Sequence, residues 1–173
     1  MKPIAVLLAL CCAASAQETE LKPPARAFPP IGNELSPEDK TFLTTELQRA
    51  QAEFDLLPKK KENANAEILL KAVRYALDYS EFYKPGESGK ARGMLAVAFQ
   101  RIAALKNGEQ PWMTEKGLVV RGYYSPIDGS AQPFGMEIPD DAPDKNAPAW
   151  LWLQGRGETR TDLHFIDERL GKR

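Results

Sequence analysis

Between Ser36 and Lys106 the apolar residues recur at intervals of three and four, the period of helices with one buried face. From Gly117 onward that period gives way to short β-type runs. Ser36-Pro37-Glu38-Asp39 predicts a helix start, because Ser caps free backbone N–H groups, Pro has the φ of a first helical turn and the two carboxylates face the positive end of the dipole. Leu43, Leu47, Ala50, Phe54 and Leu57 follow on one face, and Pro58 supports a stop nearby. A second helix is expected from near Asn63 or Asn65, carrying Ile68, Ala72, Tyr75, Tyr79 and Phe82 in one stripe up to the breaker Lys84-Pro85-Gly86. A third is expected from about Ser88 to Lys106, with Ala91, Leu95, Ala98, Ile102 and Leu105 in register, Met94 and Phe99 widening the stripe, and Asn107-Gly108 as its stop. Three amphipathic helices on short connections predict a helical layer or small bundle.

The texture changes after Pro111, since eight of the twelve Gly and six of the fourteen Pro lie from Gly108 onward. This places an expected domain boundary near Gly108 to Lys116. Gly117 to Tyr124 reads as a strand, Asp128-Gly129 as a tight turn, and Gln132 to Ile138 as the hairpin partner. The stretch from Pro139 to Pro148 reads as a solvated connection; Asp140, Asp141 and Asp144 within it lack the loop spacing of a known cation site. Ala149-Trp-Leu-Trp-Leu-Gln154, apolar on both faces, is expected to be a central strand covered on both sides. It ends in Gly155-Arg156-Gly157-Glu158, after which Thr161 or Asp162 caps a final helix ending at Gly171.

Composition narrows the function. The chain has 173 residues, 23 basic against 24 acidic, and a formal net charge of -1, which argues against a phosphate-tracking nucleic-acid binder. One His and two Cys leave few soft ligands, so no metal or other cofactor is expected. Lys2, the apolar run from Ile4 to Leu10 and Ala14-Ser15-Ala16 read as a secretory signal peptide (1–16), cleaved after Ala16. Its apolar core is far short of the roughly 20 residues of a transmembrane helix. A lipid anchor on Cys11 or Cys12 is disfavoured by the large residue Leu10 and by Cys11 at the preceding positions. The expected product is exported, periplasmic or secreted. Both cysteines leave with the signal, so the remaining chain relies on its core rather than on disulfides. The segment 17–35, with its pairs Pro23-Pro24 and Pro29-Pro30, reads as an extended spacer, with recognition by a proline-binding partner as the alternative.

Among the aromatics, Tyr75, Tyr79, Phe82 and Tyr83 are expected to pack in the core, a ligand-stacking surface being the alternative. Arg74, Asp78 and Glu81 fit an exposed helix face with weak ion pairs.

Two stretches point to a family. Val120-Arg-Gly-Tyr-Tyr-Ser-Pro-Ile-Asp-Gly-Ser-Ala-Gln-Pro-Phe-Gly135, followed by Trp152-Leu-Gln-Gly-Arg-Gly-Glu158, resembles the start of the catalytic domain in exported bacterial prolyl-oligopeptidase-like serine hydrolases of the α/β-hydrolase superfamily. Lys71-Ala-Val-Arg-Tyr-Ala76 and Glu81-Phe-Tyr-Lys-Pro-Gly86 fit the helical N-terminal region of such proteins, so the resemblance covers roughly Ile68 to Arg173. It implies an α+β chain: a three-helix N-terminal layer (36–109), then the first strands and first helix of an incomplete α/β-hydrolase sheet (110–173). The implied chemistry is cleavage of a small-molecule ester or peptide through an acyl-enzyme, as a peptidase or esterase.

Such enzymes hold a serine on a strand-to-helix turn, G-x-S-x-G, with an Asp or Glu and a His further along. No such motif occurs here; Gly86-Glu-Ser-Gly89 has the wrong spacing and falls at a helix start. His164, the only His, follows the expected central strand too closely to be the family's base and reads as a helix-face residue. The resemblance keeps one part of the machinery. Gly155, Arg156 and Gly157 match the loop whose backbone N–H stabilises the tetrahedral oxyanion, with Gln154, where the family commonly has His, and Glu158 as loop or substrate support. Arg156 is expected to contact an anionic substrate group or to pair with Glu158 or Asp162. The alternative is a glycine turn that only ends a strand. The chain alone is therefore expected to be inactive, too short for the implied enzyme, and to need a complementing polypeptide or a continuation of the sheet. A non-enzymatic exported binding or assembly module, built on three helices and a small β unit, is the second reading.

Overall fold

The computed structural model describes residues 30–143, 146–153, 155 and 157–170. The expected signal peptide, the spacer up to residue 29, Gln154 and Arg156 lie outside the described residues. The chain is α+β: helices α1 (Pro37–Asp55), α2 (Ala64–Asp78), α3 (Ser88–Lys106) and α4 (Asp162–Asp167), with one antiparallel hairpin of β1 (Gly117–Tyr124) and β2 (Ala131–Ile138).

Local chemistry accounts for the helix boundaries. Ser36 Oγ accepts the N–H of Asp39 at 3.1 Å, with Pro37 in the first turn. Leu43 and Ala50 are fully buried, and Leu47 and Phe54 pack at the edge of the same core. Gly108, at φ +75°, turns the chain after α3.

Helix α2 is the centre of the fold. It touches α1, α3, both strands and α4, and Ala64, Ala66, Ile68, Leu69, Leu70, Ala72, Val73 and Ala76 are all fully buried. Burial extends around most of its circumference up to Val73 because helices cover one side and the hairpin the other. Each buried Leu or Ile contributes roughly 1.5–3 kcal/mol. The hairpin pairs Gly117 with Ile138 through Tyr124 with Ala131 and closes through Asp128-Gly129, where Gly129 has φ +72°.

Two polar clamps dock the hairpin onto the helices. Arg101, only 5% exposed, donates to Asn65 O at 2.7 Å and Val120 O at 2.9 Å. Lys71, 8% exposed, donates to Ala131 O and pairs with Asp162 at 3.1 Å. Between them β1 lies against the first turn of α2 at Gly122, whose N–H donates to Asn65 Oδ1 at 2.9 Å. A Cβ on Gly122 would overlap the Ala64 carbonyl, coming within 2.6 Å of its carbon and 2.9 Å of Ile68 Cγ2. Gly122→Val is expected to destabilise the protein by about 3 kcal/mol. Gly93→Ala, in α3 where nothing lies within 4 Å, is expected to stabilise it by about 0.5–1 kcal/mol. Urea unfolding followed by far-UV circular dichroism checks the opposite signs.

The structure corrects three expectations. Helix α2 ends at Asp78, before the Lys84-Pro85-Gly86 breaker, because the chain turns at Ser80 with φ +52°. The aromatic cluster is consequently split. Phe82 enters the core at 2% exposure, whereas Tyr75 and Tyr79 stay outside as an edge-to-face pair with ring centroids 5.6 Å apart. The third correction concerns Trp150, Leu151, Trp152 and Leu153: they form no strand and are 85–96% exposed. A strand needs a neighbouring backbone to bond, and among the described residues β1 and β2 pair only with each other. The described end of the spacer is bound to the body, since Asn33 N–H donates to Phe82 O and Leu35 packs against the core.

Candidate functional site

Gly155 and Gly157 lie in an irregular, exposed stretch following the exposed apolar run, and Glu158 beside them is exposed as well. A Cβ at Gly155 would meet nothing within 4 Å, and one at Gly157 would meet only the Arg160 side chain at 3.7 Å. Among the described residues no backbone or side chain crowds either glycine. The Gly157 carbonyl accepts the N–H of Arg160 at 3.1 Å, the turn that leads into α4. Asp162, one of the partners expected for Arg156, is engaged by Lys71.

The most organised polar group is one the sequence alone did not reveal. Thr161 Oγ1 lies 3.0 Å from His164 Nδ1, and His164 Nε2 lies 2.9 Å from Glu87 Oε1. Thr161, His164 and Glu87 are 3%, 8% and 3% exposed. With the neutral ring protonated at Nε2, His164 donates to Glu87 and accepts the Thr161 hydroxyl proton. The order hydroxyl, imidazole, carboxylate is that of a nucleophile relay. Its hydroxyl end is closed off from solvent, however, so the group acts as a clasp for α4. His164 is thus buried in its helix, as are Leu163 and Ile166, both fully buried.

Glu87 is the hub of this clasp. Its carboxylate also accepts the N–H groups of Tyr83 at 2.7 Å and Lys84 at 3.1 Å, and pairs with Lys90 at 3.1 Å. Burial by itself would raise the carboxyl, but the bonds from Lys90, Lys84 N–H, Tyr83 N–H and His164 outweigh it and hold it down at about 2. The sequence marks a helix start at about Ser88, and Ser88 is the first residue of α3.

A polar cleft of about 280 Å³ lies beside Lys71 and is lined by Glu81, Asp128, Ser130 and Asp162. Among the described residues no group of three or more His, Cys, Asp or Glu is placed to hold a metal ion, and no helix is long and apolar enough to cross a membrane. No protein-family model, curated protein or solved structure matches this chain.

Proposed function

We propose that this chain is the N-terminal portion of an exported serine hydrolase, a peptidase or esterase working through an acyl-enzyme, and that it is inactive by itself. The observation that carries the reading is the run Trp150 to Leu153, four large apolar side chains 85–96% exposed immediately before the glycine loop. A run of that kind is stable in water only when something covers both of its faces. A parallel sheet supplied by a continuation of the chain, or by a second polypeptide, would pair its backbone, bury Trp150 and Trp152, and bring Gly155 to Gly157 to the end of a strand. There the loop's N–H groups would face a tetrahedral oxyanion. The N-terminal signal delivers the product to the periplasm or the medium.

The test has two arms. The purified chain is expected to show no turnover of an activated ester and no labelling by a serine-directed fluorophosphonate; serine-dependent turnover would overturn the claim of inactivity. Reading the DNA beyond the Arg173 codon is expected to reveal, in some frame, a G-x-S-x-G strand-turn-helix with a later Asp and His. Unrelated sequence there would favour the second reading, an exported binding or assembly module. That reading draws on the closed core of helices, hairpin and α4, which is complete without the 149–153 run.

A further inference from the structure

A cleft of about 530 Å³ opens where the end of α1 and the connection to α2 meet Tyr124 at the end of β1. Phe54, Leu57 and the Tyr124 ring form its apolar walls, and Lys59, Lys60 and Lys61 stand along it. The three lysines are exposed and, among the described residues, take part in no ion pair. Two carboxylates line the same cleft and keep their charge, since their partners are neutral: Asp55 accepts from Gln51 Nε2 at 2.7 Å, and Glu67 from the Tyr124 hydroxyl at 2.7 Å, so the lysines outnumber them three to two.

The lysines are carried on a braced arch. Asn63, 6% exposed, donates its amide to Pro58 O at 2.9 Å, and its N–H reaches Lys60 O at 3.2 Å. Asn65, 5% exposed, donates to Glu62 O at 2.9 Å. Holding three adjacent ammonium-bearing residues on a fixed backbone concentrates like charge, and the repulsion is relieved when an anion joins them. Beside that charge lies an apolar surface, and the volume is in the range of about 300–1,000 Å³ typical of small-molecule sites.

We infer that this cleft binds an amphipathic organic anion, an apolar tail bearing one carboxylate, with the tail against Phe54 and Leu57 and the head among Lys59, Lys60 and Lys61. The inference is independent of the hydrolase reading, because the cleft is formed by α1, α2 and β1 without the 149–158 stretch.

Isothermal titration with octanoate, below its micellar concentration and at low salt, is expected to show saturable binding. Replacing the three lysines (Lys59→Gln, Lys60→Gln, Lys61→Gln) is expected to weaken it by about tenfold or more, as is raising the salt to about 300 mM. Octanol, which keeps the tail and lacks the charge, is expected to bind more weakly and to be indifferent to the lysine substitutions. The substituted residues are exposed, so an unchanged thermal melt confirms that the variant is folded. The inference is overturned by absence of saturable octanoate binding, by undiminished binding to the triple variant, or by inorganic phosphate binding as tightly as octanoate. Loss of binding in a Trp150→Ser, Trp152→Ser variant would overturn it too, by placing the ligand on the exposed run.

Discussion

Glu87→Ala is expected to destabilise the folded chain by about 3–5 kcal/mol, a large share of the 5–15 kcal/mol that such domains possess. The substitution removes the acceptor for two backbone N–H groups, for Lys90 and for His164, all in a region where Glu87 is 3% exposed. Donors left unpaired in a protein interior cost more than the bond itself contributes. The consequences differ along the chain. The turn from Phe82 to Gly86 loses its anchor, and α4 loses the attachment through His164 while retaining the Lys71–Asp162 pair and Leu163 and Ile166 in the core. Hydrogen exchange is therefore expected to accelerate in residues 82–90 and 161–168 before the remainder of the core. The pH dependence has a definite sign. A carboxyl held at about 2, below its ordinary 4.5, contributes stability that is complete above 4.5 and is lost as the pH falls through about 2. The difference in urea-unfolding free energy between native chain and variant should shrink over that window. A difference unchanged at pH 2 would show that the ionised carboxylate is not its source.

Arg101→Met is expected to cost about 3 kcal/mol and to loosen the hairpin in particular. Its guanidinium is the only described link that donates to α2 and β1 at once, through Asn65 O at 2.7 Å and Val120 O at 2.9 Å, and it lies 5.2 Å from the Trp112 ring centroid. Burial pulls this group down to about 10, with the charge of Glu115 opposing and that of Arg121 assisting, so it stays cationic at neutral pH. Methionine is shorter and supplies no donor, so the Asn65 and Val120 carbonyls lose the guanidinium that joins them. Arg101→Lys should recover little, because one ammonium on a flexible stem does not reproduce the fork that reaches both oxygens. Exchange of the β1 amides should rise well above that of α1 in either variant; equal protection of both elements would refute the docking role.

The comparison of pattern with structure separates two kinds of information. The boundaries of α1 and α3, the extent of β1 and the hairpin turn follow from local chemistry: a Ser cap with a Pro in the first turn, an Asn-Gly stop, an Asp-Gly turn. The end of α2 did not, because Tyr75 and Tyr79 continue the helical spacing although the helix stops at Asp78. Their exposure shows the limit of periodicity, which places residues on one face without specifying how far the opposing layer extends. The run 149–153 shows the same limit more strongly. An apolar sequence specifies a surface that needs cover, and pairing depends on a strand that no local pattern supplies.

By itself the sequence determined the helix-then-hairpin order, the caps and turns, and the apolar faces available for burial, since each of these is settled by contacts among residues a few positions apart. Only the tertiary structure decided that α2 is covered from several sides, that Arg101 and Lys71 are drawn inside to clamp the hairpin, and that Thr161, His164 and Glu87 form one buried clasp. The physical reason is distance along the chain. Glu87 and His164 are 77 positions apart, and Lys71 and Ala131 are 60 apart. A charged or polar side chain at such a separation looks like any solvated one until the apolar faces of α2, α3 and α4 close around it.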